Sequence, residues 1–267
     1  MPTKPFGVLM LHGFPCNNHN FEPIEPGMQA LDLPYRIPNL RGMGVGNPEA
    51  LRGLTWHDWL ADSHAALEDL LQEVEKAIVI GYSMGGALTI MLAAESSDRM
   101  DSLILAAPMM QLASPFAPGR PLGFMIPILK VILKKWKYPP SPLDGYRRLY
   151  PWVPIDPLIS VVELSSVVWR HMPQVSLPAL LLQGTQDEVV TRRGLTLAND
   201  CLATVPAQKR MLWVEGVTHD IFFGPGSQAI IEAILAYLRE RTGRDDSSHS
   251  KAVTPSTLAV SDGTEIQ

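Results

Sequence analysis

Short apolar runs that alternate with longer amphipathic segments are the feature that most restricts the fold of this chain. Each run is rich in Val, Ile and Leu and is bounded by turn residues, as expected for strands buried on both faces of a parallel sheet. The runs are Gly7 to Leu11, Ala77 to Ile80, Leu103 to Ala106, Ala179 to Leu182 and Arg210 to Val214. The segments with helical spacing are Thr55 to Leu71, Met84 to Ala94 and Gln228 to Leu238. This order predicts an α/β protein with a doubly wound, mostly parallel sheet.

The alternation stops between Met109 and Val175, a proline-rich stretch that contains no run fitting the order of strands and helices. We interpret residues 109–175 as an inserted, helical cap on a core formed by residues 1–108 and 176–242. From Gly243 onward the sequence loses its periodicity and its large apolar residues. We therefore expect residues 243–267 to form a disordered tail.

Composition narrows the class of protein and its partners. The chain has 267 residues, of which 46% are hydrophobic and 18% charged, enough apolar surface for a sizeable core. Its net charge of -5 argues against a nucleic-acid partner, because phosphate-binding surfaces are strongly basic. The two cysteines form no C-x-x-C pair, and neither a leader-like segment nor an apolar run of membrane-spanning length is present. We expect a soluble cytoplasmic protein, and no feature indicates its oligomeric state.

A nucleophile motif follows the second apolar run directly. The run leads into Gly81-Tyr82-Ser83-Met84-Gly85, a G-x-S-x-G sequence, and a helical pattern begins at Met84. The same pattern occurs by chance in glycine-rich turns, but a strand before it and a helix after it are typical of a nucleophile elbow. We therefore predict that Ser83 is a nucleophile and that the amide of Met84, at the helix N-terminus, stabilises an oxyanion.

The order of the motifs resembles the α/β-hydrolase superfamily, from about Phe6 to Arg241. The segment His12-Gly13-Phe14-Pro15, directly after the first run, is similar to the oxyanion loop of that family. The resemblance implies that the backbone N–H of Phe14 is a second oxyanion donor beside that of Met84. It also implies that His12 is a structural, hydrogen-bonding residue rather than the catalytic base.

The family places an acid and then a histidine after later strands. Asp187 follows the fourth run and a glycine turn, and His219 follows the fifth run. The resemblance therefore implies that His219 is the base and Asp187 the acid that orients it. An aspartate after glycine is also typical of a turn or a helix N-cap, and Thr218 stands where many members have glycine. The neighbouring Glu188 is expected to point away from the histidine.

The remaining motifs indicate neither a metal nor a cofactor. Of the seven histidines, His57 and His64 lie on a predicted helix, and His19, His171 and His249 lack a motif. The sequence has no paired metal-ligand spacing and no phosphate-binding glycine loop after a strand. We expect no metal and no cofactor.

The predicted function is that of a serine hydrolase that cleaves carboxylic esters through an acyl-enzyme intermediate. HGF near the start, GYSMGG in the middle and a long cap before the acid are most similar to the carboxylesterase and monoacylglycerol lipase branch. Thioesterases, carbon–carbon bond hydrolases and perhydrolases of the same fold are open alternatives, as is a ligand sensor that binds without catalysis. Branches that open epoxides or displace halides use an aspartate at the elbow, and Ser83 argues against them.

The cap contains a basic amphipathic segment from Pro127, which suits the first position of a helix, to Lys137. At about 100° per residue, its apolar face consists of Leu129, Ile132, Leu133 and Trp136, and its basic face of Lys130, Lys134 and Lys137. Between Met109 and Pro154 seven basic residues stand against one acid, a local balance of +6. We expect the apolar face to roof the active site and to favour a small ester with an apolar acyl group. The alternative is a surface that also makes weak contact with anionic membranes or micelles.

Overall fold

The structure is a computed structural model that describes residues 4–138 and 150–244. Its strands are β1 (Lys4–Leu11), β2 (Tyr35–Arg36), β3 (Val74–Tyr82), β4 (Met100–Ala106), β5 (Lys135–Lys137), β6 (Trp152–Pro154), β7 (Ala179–Gly184) and β8 (Lys209–Val214). Its helices are α1 (Glu25–Ala30), α2 (Trp56–Leu70), α3 (Met84–Ser96), α4 (Ile126–Ile132), α5 (Ile155–Val167), α6 (Arg192–Cys201) and α7 (Ser227–Thr242). The five predicted runs lie within β1, β3, β4, β7 and β8, and the three predicted helices coincide with α2, α3 and α7 to within a few residues.

Six of the described strands form one parallel sheet in the order β2-β1-β3-β4-β7-β8. The pairing of β1 with β3 runs from Lys4 opposite Val74 to Leu11 opposite Gly81. The chain steps outward from β1 to β2 and then crosses back over β1 to β3, so the sheet is doubly wound and the predicted fold class is confirmed. All six carboxyl ends meet at one edge, the place where open α/β sheets bind their ligands.

Helices cover both faces of the sheet. Side chains alternate along β1, where Leu9 and Leu11 face one core and Val8 and Met10 face the other. α2, α3, α5 and α6 pack on the first face, and α1 and α7 pack on the second. Strands with two buried faces explain why the apolar runs are continuous rather than alternating.

The segment between β4 and β7 contains a second, two-stranded antiparallel sheet. β5 pairs with β6, with Lys135 opposite Pro154 and Lys137 opposite Trp152. The predicted helix from Pro127 to Lys137 is therefore wrong in its second half, because α4 ends at Ile132 and Leu133 is already extended. Consequently Leu129, Ile132, Leu133 and Trp136 do not share one helical face, and Lys134 and Lys137 lie beyond the helix that carries Lys130.

Two further predictions concern the C-terminal tail and membrane-spanning helices. Gly243 ends α7 in a left-handed conformation, with φ of 64°, and the backbone N–H of Arg244 donates to the Arg239 carbonyl at 3.1 Å. The remainder of the predicted tail, residues 245–267, lies outside the described residues. Over residues 4–138 and 150–244, no helix is both long enough and apolar enough to cross a membrane.

Candidate active site

The turn between β3 and α3 holds Ser83 in a backbone conformation that side chains rarely adopt, with φ of 53° and ψ of −114°. Its N–H donates to the Ala106 carbonyl at 3.0 Å, and its own carbonyl accepts from the N–H groups of Gly86 and Met109 at 2.9 Å. Such a conformation costs about 1–3 kcal/mol and persists only where neighbouring contacts enforce it. These three hydrogen bonds hold Ser83 in this conformation. Two of them join it to the end of β4 and to the segment after β4.

The two glycines of the motif leave room for neighbouring backbone. A Cβ atom at Gly85 would lie 1.9 Å from the carbonyl oxygen of Leu11, the last residue of β1. A Cβ atom at Gly81 would lie 2.3 Å from the carbonyl oxygen of Gly85. No side chain fits at either distance, so the G-x-S-x-G spacing is a steric requirement of the turn.

Three predicted residues meet at the carboxyl edge of the sheet. Nε2 of His219 lies 3.0 Å from Oγ of Ser83, and Nδ1 of His219 lies 2.9 Å from Oδ2 of Asp187. Ser83 is 8% exposed, His219 is 5% exposed, and the Asp187 side chain is fully buried. The structure thus brings together Ser83, Asp187 and His219 in one hydrogen-bonded chain.

Both oxygens of Asp187 are engaged. Oδ1 accepts hydrogen bonds from the backbone N–H groups of Val189 and Val190, each at 2.9 Å, while Oδ2 faces the histidine. Asp187 therefore does stabilise a turn, as its position after a glycine indicated, and it does so through Oδ1. The same side chain contacts His219 through Oδ2. Glu188 lies in the wall of the adjoining cavity.

The carboxylate determines which nitrogen of His219 carries the proton. An ionised carboxylate only accepts hydrogen bonds, so Nδ1 of His219 donates to Asp187 and Nε2 is left with a lone pair. That lone pair faces the hydroxyl of Ser83, which can donate its proton along the 3.0 Å contact. The arrangement is chemically able to convert a serine hydroxyl into a nucleophile.

The two predicted oxyanion donors lie in the wall of the cavity that contains Ser83. Met84 is the first residue of α3, so its N–H has no acceptor one turn earlier in the helix. The segment containing Phe14 passes beside the serine, because a Cβ atom at Gly13 would lie 3.2 Å from Cβ of Ser83. The ring of Phe14 packs on that of Trp59 with centroids 5.4 Å apart, which anchors this segment.

His12 does not face the serine and is held in its neutral form. Its Nδ1–H donates to the Gly13 carbonyl at 2.9 Å, and its Nε2 accepts from the Leu40 N–H at 3.1 Å. Complete burial lowers the pKa of His12 to about 4, although the hydrogen bond to Gly13 acts in the opposite direction. This is the structural role that the sequence analysis expected. Among the described residues, no three His, Cys, Asp or Glu side chains are grouped so that they could hold a metal ion.

Ser83 and His219 open into a cavity of about 620 Å³ whose wall is predominantly apolar. Of the four predicted substrate-binding residues, Leu129 and Trp136 line this cavity, whereas Ile132 and Leu133 do not. Ile132 is 69% exposed, because the side of α4 that faces the cavity is the one that carries Ile126 and Leu129.

Helix α5, which none of the sequence motifs indicated, also contributes to the cavity wall. Its lining residues include Ile155, Leu158, Ile159 and Val162. These positions follow the i, i+3, i+4, i+7 spacing of one helical face, so the signal was present in the sequence.

The sequence of the chain matches a known protein family. The profile of the alpha/beta hydrolase family matches residues 8–232, which is most of the chain. The chain belongs to the α/β-hydrolase family. The family resemblance inferred from the motifs is thereby confirmed.

This α/β-hydrolase is similar to proteins that are named lipases. The thermostable monoacylglycerol lipase of Bacillus sp. (strain H-257) is 28% identical over 187 residues, covering 70% of this chain and 72% of that protein. The monoglyceride lipase of Homo sapiens is 25% identical over 222 residues, covering 73% and 71%. A solved structure from work on LipS and LipT, two metagenome-derived lipolytic enzymes, shares the fold with a TM-score of 0.78 at 24% identity, covering 90% of this chain and 95% of that chain. Lipases are carboxylic ester hydrolases, the class predicted from the sequence.

Proposed function

We propose that this α/β-hydrolase cleaves carboxylic esters, with Ser83 as nucleophile, His219 as general base and Asp187 as the acid that orients it. The observation that carries the proposal is the continuous hydrogen-bonded chain from Asp187 through His219 to Ser83, at 2.9 and 3.0 Å, beside an apolar cavity. A ligand sensor has no need of an aligned proton acceptor on a strained serine.

The reaction proceeds in two halves. Oγ of Ser83 attacks the ester carbonyl carbon while its proton passes to Nε2 of His219. The negative oxygen is stabilised by the N–H groups of Phe14 and Met84, and the alcohol then leaves with the proton from Nε2. Water attacks the acyl-enzyme, giving a proton to Nε2, and the carboxylic acid leaves as that proton returns to Ser83.

The cavity favours an uncharged ester with an apolar acyl group. Most of its wall is aliphatic or aromatic, and residues 109–175, which we propose to act as a cap, supply much of it. Among the described residues that line the wall, Glu188 is the acidic one, and it disfavours an anionic substrate because like charges repel. Relatives named monoacylglycerol lipases make monoacylglycerols a chemically consistent choice.

A rate panel tests the proposal. Aryl esters and monoacylglycerols of increasing acyl length are compared with the corresponding thioesters, with Ser83→Ala as the matched control. We expect ester turnover that increases from acetyl to medium acyl chains and disappears in Ser83→Ala. Covalent labelling of Ser83 by a fluorophosphonate without turnover of any ester would contradict the proposal, and faster turnover of thioesters would favour the thioesterase alternative.

A contact with anionic lipid is proposed from the outer side of α4 and the turn before it. Phe124 is 72% exposed, Val131 84% and Ile132 69%, although large apolar side chains are normally covered. Lys134, Lys135 and Lys137, which follow directly, are exposed as well. Apolar residues flanked by lysines match an anionic membrane surface, in which the former insert and the latter contact headgroups.

Vesicle binding tests this contact. We expect wild-type protein to bind vesicles with anionic phospholipid at low salt, to bind neutral vesicles more weakly, and to lose the difference when Lys134, Lys135 and Lys137 are all changed to Glu. If wild-type protein ignores anionic vesicles at low salt, the contact does not exist and the apolar outer side of α4 has another role.

A further inference from the structure

A second cavity, of about 360 Å³, lies beside the catalytic one. Its wall is also predominantly apolar and comes from the segment after β4, the end of α5, and α6. Leu112 and Ala117 line both cavities, so the two spaces adjoin across these side chains. Of the three residues before Leu112, Met109 lines the catalytic cavity, and Met110 and Gln111 line the second.

α5 runs along both spaces. Its first two turns, represented by Leu158, line the catalytic cavity, and its last turn, represented by Ser165, lines the second. Seven residues of helix correspond to about 10 Å at 1.5 Å per residue. The second cavity therefore lies farther along α5 than the catalytic cavity does.

We propose that the second cavity receives the distal end of long acyl chains, beyond the part that the catalytic cavity holds. This inference rests on the proposed ester hydrolysis and adds to it a substrate class, esters of long-chain fatty acids. The carbonyl carbon is fixed at Ser83, so a longer chain extends away from the serine towards Leu112 and Ala117. In the second cavity, Trp169 and Leu197 contribute apolar surface to the wall.

The energetic consequence is a dependence of specificity on chain length. Each methylene that moves from water into an apolar cavity strengthens binding by about fourfold. If the second cavity is accessible, binding continues to strengthen with each methylene after the catalytic cavity is full. If the second cavity is blocked, binding stops strengthening at the chain length that fills the catalytic cavity.

Leu197→Trp tests this dependence, because Leu197 lines the second cavity but not the catalytic one. We expect the ratio of kcat/KM for hexadecanoyl over octanoyl monoacylglycerol to fall at least tenfold. Thr196→Trp is the matched control, since it places the same ring on the exposed side of α6, and it is expected to keep the wild-type ratio. An unchanged ratio in Leu197→Trp overturns the inference while leaving ester hydrolysis intact.

A binding experiment separates this inference from the proposed function. Cys201 is exposed at the second cavity, whereas Cys16, the only other cysteine in the sequence, is buried in the catalytic cavity. In Ser83→Ala, we expect 1-hexadecanoylglycerol below its micelle concentration to slow alkylation of Cys201 at least threefold, measured on the isolated peptide, and 1-octanoylglycerol to leave it unchanged. Equal alkylation with and without the long-chain ester overturns the inference, even if the wild-type protein hydrolyses no ester.

Discussion

The hydroxyl of Tyr82 donates a hydrogen bond of 3.2 Å to the backbone carbonyl oxygen of His219. Tyr82 is buried, and its ring packs on those of His219 and Phe222, with centroids 5.5 and 5.6 Å away. The same ring borders the oxyanion segment, since a Cβ atom at Gly13 would lie 3.2 Å from it. The residue before the nucleophile thus supports the loop of the base and touches the loop of an oxyanion donor.

Tyr82→Phe removes that hydrogen bond, together with the longer contact of 3.5 Å from the same hydroxyl to Oδ1 of Asp220, and keeps the ring. We expect kcat to fall by up to about tenfold with little change in KM, because one buried hydrogen bond contributes about 1 kcal/mol and here it positions the base rather than the substrate. Steady-state kinetics on one ester and the pH profile of kcat provide the measurement. A change confined to KM would mean that Tyr82 acts on substrate binding instead.

Replacing Ser83 by Gly and by Ala separates chemistry from backbone strain. Both variants lack the nucleophile, so both are expected to be inactive. The φ of 53° is natural for glycine and strained for alanine, so we expect Ser83→Gly to be the more stable variant by about 1 kcal/mol, after its entropic cost is subtracted. Denaturant unfolding of the pair measures the difference, and a more stable Ser83→Ala would contradict the strained turn.

Asp187→Asn should reduce kcat by about 10⁴-fold, whereas Glu188→Gln should change it only slightly. The asparagine oxygen remains on the N–H groups of Val189 and Val190, which turns its NH₂ group towards His219. Nδ1 must then accept, the proton moves to Nε2, and the histidine cannot take the proton of Ser83. Stopped assays on both purified variants rank the two carboxylates, and the reverse ranking would show that Glu188 is the acid.

His12 makes the folded protein sensitive to acid. Its pKa is lowered to about 4 in the folded state, against 6.5 when exposed. Above pH 6.5 both states are neutral. As the pH falls from 6.5 to 4 only the unfolded chain binds this proton, which removes up to about 3 kcal/mol of stability. Unfolding free energies of His12→Gln should fall less steeply over that interval than those of the wild type; parallel slopes would exclude this histidine as the cause.

The positions of Ser83, Asp187 and His219 were predictable because each follows a strand of a parallel sheet within a few residues. Loops after parallel strands reach one edge, so chain order and strand assignment were enough to expect the three side chains near one another. The two-stranded β5–β6 sheet was not predictable in this way. Its partners lie on either side of residues 139–149, and helical periodicity around Leu133 carries no information on a strand that pairs so far along the chain.

The catalytic chain of hydrogen bonds joins distant parts of the sequence. Ser83 and His219 are separated by 136 positions and Asp187 and His219 by 32, and the three follow β3, β7 and β8, with β4 inserted between β3 and β7. No fragment that lacks β3, β7 or β8 contains the complete site. Ester hydrolysis, once measured, therefore serves as a reporter of complete assembly: a refolding chain gains activity only when its last strand has docked.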